Sequence, residues 1–281
     1  MTIILYNPLS KNRKSKRATK KLVDYYKKHK LPFRVKSLLK IQDLEDYLTN
    51  TPPDIKIILL GGDGTINTFI NNSMKIPLTY RIAIKPTGSG NDFLRSIKKQ
   101  RPTHQYVMKL THNNNIRYFI NGSGMGIDGV IAHRVNQSRR KSRLNYFANT
   151  VKSLLTYKPT FLEATIDNAS YRFKKAYLIN VNNGAYVGGG MKLTPKAKLE
   201  ENKLDVLIVH NINKLMLVLI FASVYLGIHT WFKRYVFTAK ATHVQATMHS
   251  SQTAQCDGET FEGTQEIDVS LTDKKITFTD Y

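Results

Sequence analysis

The feature that most constrains this chain is an almost wholly apolar run, Ile55 to Leu60, that passes directly into Gly61-Gly62-Asp63-Gly64-Thr65-Ile66-Asn67 and then into an apolar-periodic segment. Adjacent glycines allow a sharp turn and bring backbone N–H groups close to an anion. The N-terminus of the following helix adds a favourable dipole. The string reads as a phosphate-binding loop with a carboxylate at its centre. Thr65 can bond a phosphate oxygen or cap the helix, and Asp63 can hold Mg²⁺ or orient its waters.

A second loop repeats this logic. Arg81 to Lys85 reads as a strand and is followed by Pro86-Thr87-Gly88-Ser89-Gly90-Asn91-Asp92-Phe93, which again supplies glycines, hydroxyls and a carboxylate. The first strand, Thr2 to Tyr6, ends in Asn7-Pro8-Leu9-Ser10-Lys11, with a cation suited to a nucleotide phosphate. Loops of this kind at successive strand ends are expected at the carboxyl edge of a parallel sheet. No Walker-type Gly-x-x-x-x-Gly-Lys-Ser/Thr string occurs. Gly124-Met-Gly126-Ile-Asp128-Gly129 matches Gly-x-Gly-x-x-Gly but lacks the acid a dinucleotide fingerprint wants about twenty residues later. It reads as a glycine-rich turn presenting Asp128.

Strand candidates at Thr2–Tyr6, Phe33–Leu38, Ile55–Leu60 and Arg81–Lys85 alternate with helical candidates at Lys16–Lys28, Ile41–Thr49 and Asn67–Asn72, an order that indicates crossover helices on a parallel sheet. Beyond about residue 116 the pattern becomes a series of strands, including Ile116–Asn121, Phe161–Ile166, Tyr171–Asn182, Lys203–Val209, Ala241–Met248, Thr260–Thr264, Ile267–Leu271 and Lys275–Thr279. The expected organisation is therefore an α/β half over residues 1–116 and a mostly antiparallel β half over 117–281, with the last strand able to return to the first half.

Charge narrows the class of partner. The 281 residues carry 43 Lys and Arg against 20 Asp and Glu, a formal +23, which favours polyanions or anionic lipid headgroups. Thirteen of the basic residues lie between Lys11 and Lys40 with one acid, Asp24, and seven between Arg134 and Leu162 with none. Both runs carry helix-like apolar spacing, as basic amphipathic helices at an anionic membrane would. The single cysteine, Cys256, cannot form an internal disulfide and reads as an idle thiol in a reducing cytoplasm. The start, Met-Thr-Ile-Ile-Leu-Tyr-Asn-Pro, has no basic n-region and reads as a strand. Leu215 to Phe232 is free of formal charge but is at the lower limit for spanning a bilayer, and a buried or interfacial helix is expected there.

Taken together, these residues resemble the diacylglycerol kinase-like lipid kinases, a family related to NAD kinase. The resemblance rests on seven strings in order: Asn7-Pro-Leu-Ser10, Gly61 to Asn67, Gly88-Ser-Gly-Asn-Asp92, Asn121-Gly-Ser-Gly-Met-Gly-Ile-Asp128, Gly188-Gly-Gly190 with Pro195, Lys203-Leu-Asp-Val206, and Asp257-Gly-Glu259. It implies a Rossmann-like nucleotide-binding domain plus a mostly antiparallel β-sandwich domain that binds lipid. It implies ATP contacts at Asn7, Pro8, Leu9, Ser10, Lys11, Ser37, Gly61, Gly62, Asp63, Gly64, Thr65, Ile66, Asn67 and Ser89. Asp63, Asp92 and Asp128 become the carboxylates that arrange catalytic Mg²⁺, and Glu259 the general base, with Asp257 its close competitor. A structural Mg²⁺ is implied at Glu201, with backbone oxygens from Lys198 and Lys203, although the family's Asp-Gly turn is Glu201-Asn202 here.

The activity implied is ATP- and Mg²⁺-dependent phosphorylation of a lipid hydroxyl in phospholipid biosynthesis, diacylglycerol leading, by a cytoplasmic protein peripheral to the inner face of the membrane. One departure is Thr68, where the family commonly carries Glu. It leaves open a non-catalytic regulatory relative, alongside a soluble NAD kinase-type enzyme. No recognised nucleic-acid-binding motif occurs, and nucleic acid is not an expected partner. Edge strands of the β half could pair two copies as a homodimer.

Overall fold

The computed structural model describes residues 1–10, 14–52, 55–77, 79–88, 91–137 and 143–279. Its internal contacts divide the chain into two units, Met1–Val107 with Thr272–Tyr281, and Met108–Leu271. Two of the expected nucleotide contacts, Lys11 and Ser89, lie outside the described residues.

The first unit runs through β1 (Thr2–Tyr6), α1 (Lys14–Lys28), β2 (Phe33–Ser37), α2 (Leu44–Thr49), β3 (Lys56–Gly61), α3 (Asp63–Asn71), β4 (Arg81–Pro86), α4 (Asp92–Gln100) and the start of β5 (His104–His112). The strands lie in the order β2-β1-β3-β4, all parallel. Ile3–Leu5 and Ile57–Leu60 are fully buried, as expected of parallel strands covered on both faces. Strand β2 lies at the edge and exposes Arg34 and Lys36, charges that discourage pairing with another sheet. Leu22 and Tyr26 of α1 pack on Ile4, Ile58 and Leu60, which leaves Lys16, Lys20 and Lys27 in solvent. Helix α2 begins at Leu44, later than the sequence pattern suggests, because the Asp43 carboxylate accepts the Asp46 N–H at 3.0 Å and caps it there.

The second unit takes in the end of β5, then β6 (Asn115–Phe119), β7 (Gly122–Gly126), α5 (Ile127–Gln137), α6 (Arg143–Thr156), β8 (Thr160–Ile166), β9 (Ala169–Asn182), β10 (Leu204–His210), α7 (Lys214–Val224), a 3₁₀ turn at His229–Trp231, β11 (Val236–Ala241), β12 (His243–Cys256) and most of β13 (Glu259–Phe278). Its pairings among β7 to β12 are antiparallel. The long strands β9 and β12 are each shared by β8 and, further along, by β7. Helices α5, α6 and α7 cover the sheet through Ile127, Leu154, Leu217 and Ile220, packed with Tyr177 and Leu207.

Three differences from the sequence pattern have physical causes. Gly122–Gly126 is a strand that feeds α5, not a turn, because β9 on one side and β12 on the other pair with its backbone. The three short strands expected after Thr260 form one strand, β13, whose residues from Thr272 onward belong to the first unit, where Thr277 and Phe278 pair in parallel with Arg81 and Ile82. The apolar stretch from Leu215 is an eleven-residue helix ending at Val224. Among the described residues no helix is long and apolar enough to cross a membrane.

Candidate active site

In the first unit the site grows from the way β3 ends. Gly62 caps α3 without a side chain and its carbonyl accepts the Thr65 and Ile66 N–H groups at 2.9 and 3.2 Å, while Gly64 is exposed and a Cβ added to it would meet nothing within 4 Å, so the helix start is sterically open to a ligand. Gly61 is required for a different reason: a Cβ there would lie 2.3 Å from Cβ of Thr65, which folds back beneath the loop and is buried. Two bonds stitch this loop to the second one. The Thr87 N–H donates to the Gly61 carbonyl at 2.9 Å, and the Asp92 N–H donates to Asp63 Oδ2 at 2.8 Å. Asp63 thus caps the start of α4 while standing at the start of α3. The Asp92 carboxylate is buried and meets Arg95 Nη1 at 3.4 Å.

The remaining nucleotide candidates differ in what their side chains can do. Asn7 Oδ1 accepts the Leu9 N–H at 3.0 Å and its carbonyl accepts the Ser10 N–H at 3.2 Å, so Asn7-Pro8-Leu9-Ser10 is a tight turn at the end of β1. Ser37 is buried at the end of β2. Ile66 and Asn67 are also buried; Ile66 serves the core and Asn67 Oδ1 accepts from Asn71 at 3.2 Å, so contact with a nucleotide from these two would come through backbone. Thr68 is exposed and spends its hydroxyl on the Gly64 carbonyl at 2.9 Å, which secures the loop's own helix.

In the second unit Gly124 is the organising position. It lies opposite Asn180 of β9 on one side and Gln255 of β12 on the other. Because it has no side chain, both amides converge on Asp128 Oδ2, Asn180 Nδ2 at 2.5 Å and Gln255 Nε2 at 3.2 Å. A Cβ on Gly124 would sit 2.7 Å from both Asn180 Nδ2 and Asp128 Oδ2. Burial pushes the Asp128 carboxyl up to about 7 against the opposing pull of the Gln255 and Asn180 amides. Beside it, Tyr157 donates to Gln252 Oε1 at 2.5 Å, and burial together with the Asp128 charge raises its phenol further above the ordinary range.

The unfolded chain releases the Asp128 proton near 3.8, the ordinary aspartate value, and the folded chain near 7. Stability is therefore greatest below about pH 4 with respect to this group and falls as pH rises to about 7, by about 2–4 kcal/mol. Asp128→Asn is expected to flatten that part of the pH–stability curve measured by denaturant titration; an unchanged slope would mean the carboxyl ionises normally.

Asp257 and Glu259 have separate structural fates. Asp257-Gly258 forms the two-residue turn between β12 and β13, with φ of +48° and +91°. The Asp257 carboxylate accepts three backbone N–H bonds, from Ile120 at 3.1 Å, Asn121 at 3.1 Å and Gly122 at 2.9 Å, and so pins the start of β7. Glu259, across the turn, is exposed. Cys256 is buried, and burial holds its thiol well above the usual value, so it is chemically idle.

Asp63 and Asp92 bring two carboxylate-bearing residues together in the first unit, whereas Glu201 in the second already meets a lysine ammonium. Among the described residues no group of three or more His, Cys, Asp or Glu side chains is arranged to hold a metal ion. Mg²⁺ delivered with a nucleotide would take one or two carboxylates and fill its shell with water and phosphate oxygens. At the other position Glu201 Oε2 already meets Lys240 Nζ at 2.6 Å, and the same ammonium lies 3.4 Å from Asp205 Oδ2. The Lys240 bond first, with Lys198 and Lys203 adding to it, holds the Glu201 carboxyl below its ordinary range. A lysine ammonium meets Glu201 here, so a structural Mg²⁺ at Lys198, Glu201 and Lys203 would have to displace Lys240. Without nucleotide, EDTA and Mg²⁺ are expected to leave the melting curve unchanged, whereas Lys240→Met should melt several degrees lower and respond to Mg²⁺. A Mg²⁺-dependent rise in the parent protein would show the metal site to be real.

Sequence reasoning missed Asn180, Gln255 and Lys240. The first two were signalled only by polar residues interrupting otherwise apolar strands, and the third by nothing, since its role depends on β11 lying beside β10.

Residues 1–120 match the family model described as diacylglycerol kinase catalytic domain, and residues 123–272 match the YegS C-terminal NAD kinase beta sandwich-like domain. YtlR of Bacillus subtilis (strain 168) is 30% identical over 181 residues, 56% of this chain and 58% of YtlR. The diacylglycerol kinase of the same organism is 25% identical over 216 residues, 72% of this chain and 70% of that protein. The chain thus spans little more than half of YtlR in the matched region. A crystal structure of a diacylglycerol kinase from Bacillus anthracis str. Sterne superposes with a TM-score of 0.66 at 19% identity, covering 99% of this chain and 96% of that one. With both family models matched in order over nearly its whole length, this chain belongs to the diacylglycerol kinase-like lipid kinase family.

Proposed function

We propose that the protein transfers the γ-phosphoryl group of ATP to the hydroxyl of a membrane lipid, with diacylglycerol as the leading acceptor and phosphatidic acid as product. The observation that carries this reading is the stitched pair of loops in the first unit, where the Asp63 carboxylate caps α4 while the start of α3 at Gly64 is sterically open to an anion. Mg²⁺, when bound with the nucleotide, would offset charge on the β- and γ-phosphates. The α3 N-terminus and the backbone of Gly61 to Asn67 would hold the phosphates, and Asp63 and Asp92 would hold the hydrated cation that neutralises them. Lys11 and Ser89 are assigned to the same nucleotide on the resemblance alone.

The acceptor side of the reaction is assigned on the resemblance alone. The lipid oxygen forms its bond to the γ-phosphorus as the bond to the ADP oxygen breaks, and the hydroxyl proton passes to the Glu259 carboxylate. Glu259 is favoured over Asp257 because it is exposed, whereas all three N–H bonds to Asp257 are spent on holding the chain. Asp128 contributes a further carboxylate whose charge a divalent cation would favour. The basic surface is read as facing anionic lipid at the inner face of the membrane.

Glu259→Gln is expected to lower lipid phosphorylation by about 10²–10⁴-fold with an unchanged melting curve. Activity within a fewfold of the parent would transfer the base role elsewhere. The broader reading is tested by incubating the protein with labelled ATP and a total lipid extract and identifying the labelled product by mass. Label in NADP from added NAD, with none in lipid, would replace the proposal.

A further inference from the structure

Helix α7 has two apolar faces. One is accounted for: Leu217, Ile220 and Val224 are buried in the core of the second unit. The other holds Leu215, Leu219 and Ala222, at the i, i+4, i+7 spacing of a single stripe, and Leu215 is 75% and Leu219 57% exposed. The chain that follows adds Leu226 at 69% and Trp231 at 77% exposure, with Phe232 beside it. A surface of this kind, with five large apolar side chains exposed on one helix and the chain that follows it, marks an interaction site.

The surroundings identify the occupant by charge. No Asp or Glu occurs from residue 129 to 162 or from residue 206 to 256, the two segments that contain α6 and α7. Lys214 donates to the Leu155 carbonyl at the end of α6, so the two helices meet at this edge, where Lys152 and Lys158 are exposed. Lys233 and Arg234 are exposed directly after Phe232. An apolar stripe with a tryptophan, flanked in sequence by exposed cations and drawn from acid-free segments, has the composition of a surface that lies in a headgroup layer. At eleven residues α7 is about 16 Å long, too short to cross a hydrocarbon core of about 30 Å.

We propose that α7 and the His229–Trp231 turn dock the protein on an anionic bilayer, with Leu215, Leu219, Leu226 and Trp231 entering the headgroup region while the flanking cations meet lipid phosphates. This rests on the reading of the chain as an enzyme of membrane lipid, and moves the apolar part of the membrane contact from the basic helices to α7. The helix is already anchored by its buried face, so docking requires no folding step.

Trp231 is the only tryptophan in the sequence, which makes its emission a direct probe. The full chain is mixed with phosphatidylglycerol vesicles, phosphatidylcholine vesicles serving as the neutral control. The expected result is a blue shift and quenching by a lipid-borne quencher on the anionic vesicles, diminished by salt. The double variant Leu215→Gln, Leu219→Gln should bind these vesicles at least about tenfold more weakly, with an unchanged circular dichroism spectrum and unchanged turnover of short-chain diacylglycerol dispersed in detergent. Co-sedimentation with the vesicles and no change in Trp231 emission would overturn the assignment of the surface while leaving the membrane reading intact. Absence of co-sedimentation would overturn both. A concentration-dependent shift without lipid, lost in the double variant, would show that the face pairs two copies instead.

Discussion

Asp63→Asn is expected to reduce lipid phosphorylation by about 10³-fold while leaving the melting curve close to that of the parent. The amide keeps an oxygen that can accept the Asp92 N–H, now held at 2.8 Å, so the cap on α4 and the link between the loops survive. What is lost is the negative charge at the position assigned to the nucleotide's cation. Asp63→Ala removes both, and should add a stability loss of about 1 kcal/mol, the usual cost of a missing cap. Rates from a labelled-ATP assay and melting temperatures from calorimetry separate the two contributions. An asparagine variant as active as the parent would reduce Asp63 to a capping residue, and the assignment of the loop to phosphate chemistry would lose its main support.

The second large effect is structural. Asp257→Ala is expected to destabilise the second unit by about 5 kcal/mol, because three buried backbone donors at Ile120, Asn121 and Gly122 lose a charged acceptor at once. For a chain of this size that corresponds to a melting temperature lower by about 10–20 °C. Its contrast with Glu259→Gln is the informative part. One substitution should cost stability and the other rate. If Asp257→Ala melts like the parent but loses turnover, the proton acceptor is Asp257 and the turn has another support.

The parallel half of the fold was legible because its signals are local. Strands such as Ile57–Leu60 are apolar on both faces, and the glycine string beginning at Gly61 follows immediately, so periodicity and turn chemistry agree over a dozen residues. The β half was less legible. Gly122–Gly126 has almost no side chains with which to show a period of two, and its strand character comes from being held between β9 and β12. The Asp257-Gly258 dipeptide is a strong hairpin signal, yet it was weighed as chemistry, and the carboxylate turns out to bond three backbone N–H groups of the segment Ile120–Gly122.

The glycine-rich loops in chain order, the surplus of cations and the family resemblance were determined by the sequence alone, since each depends on residue type and spacing along the backbone. Which carboxylates are free for chemistry was decided only by tertiary structure. Asp63, Asp257 and Glu259 look alike in sequence, but one caps a helix, one holds a strand and one stands in solvent, according to the donors that distant segments bring to them. The same holds for Lys240, whose ammonium takes a cation's place at Glu201 because strand pairing sets it opposite Asp205. It holds as well for α7, whose sequence is apolar all round and whose outward stripe exists only because the core takes the other face.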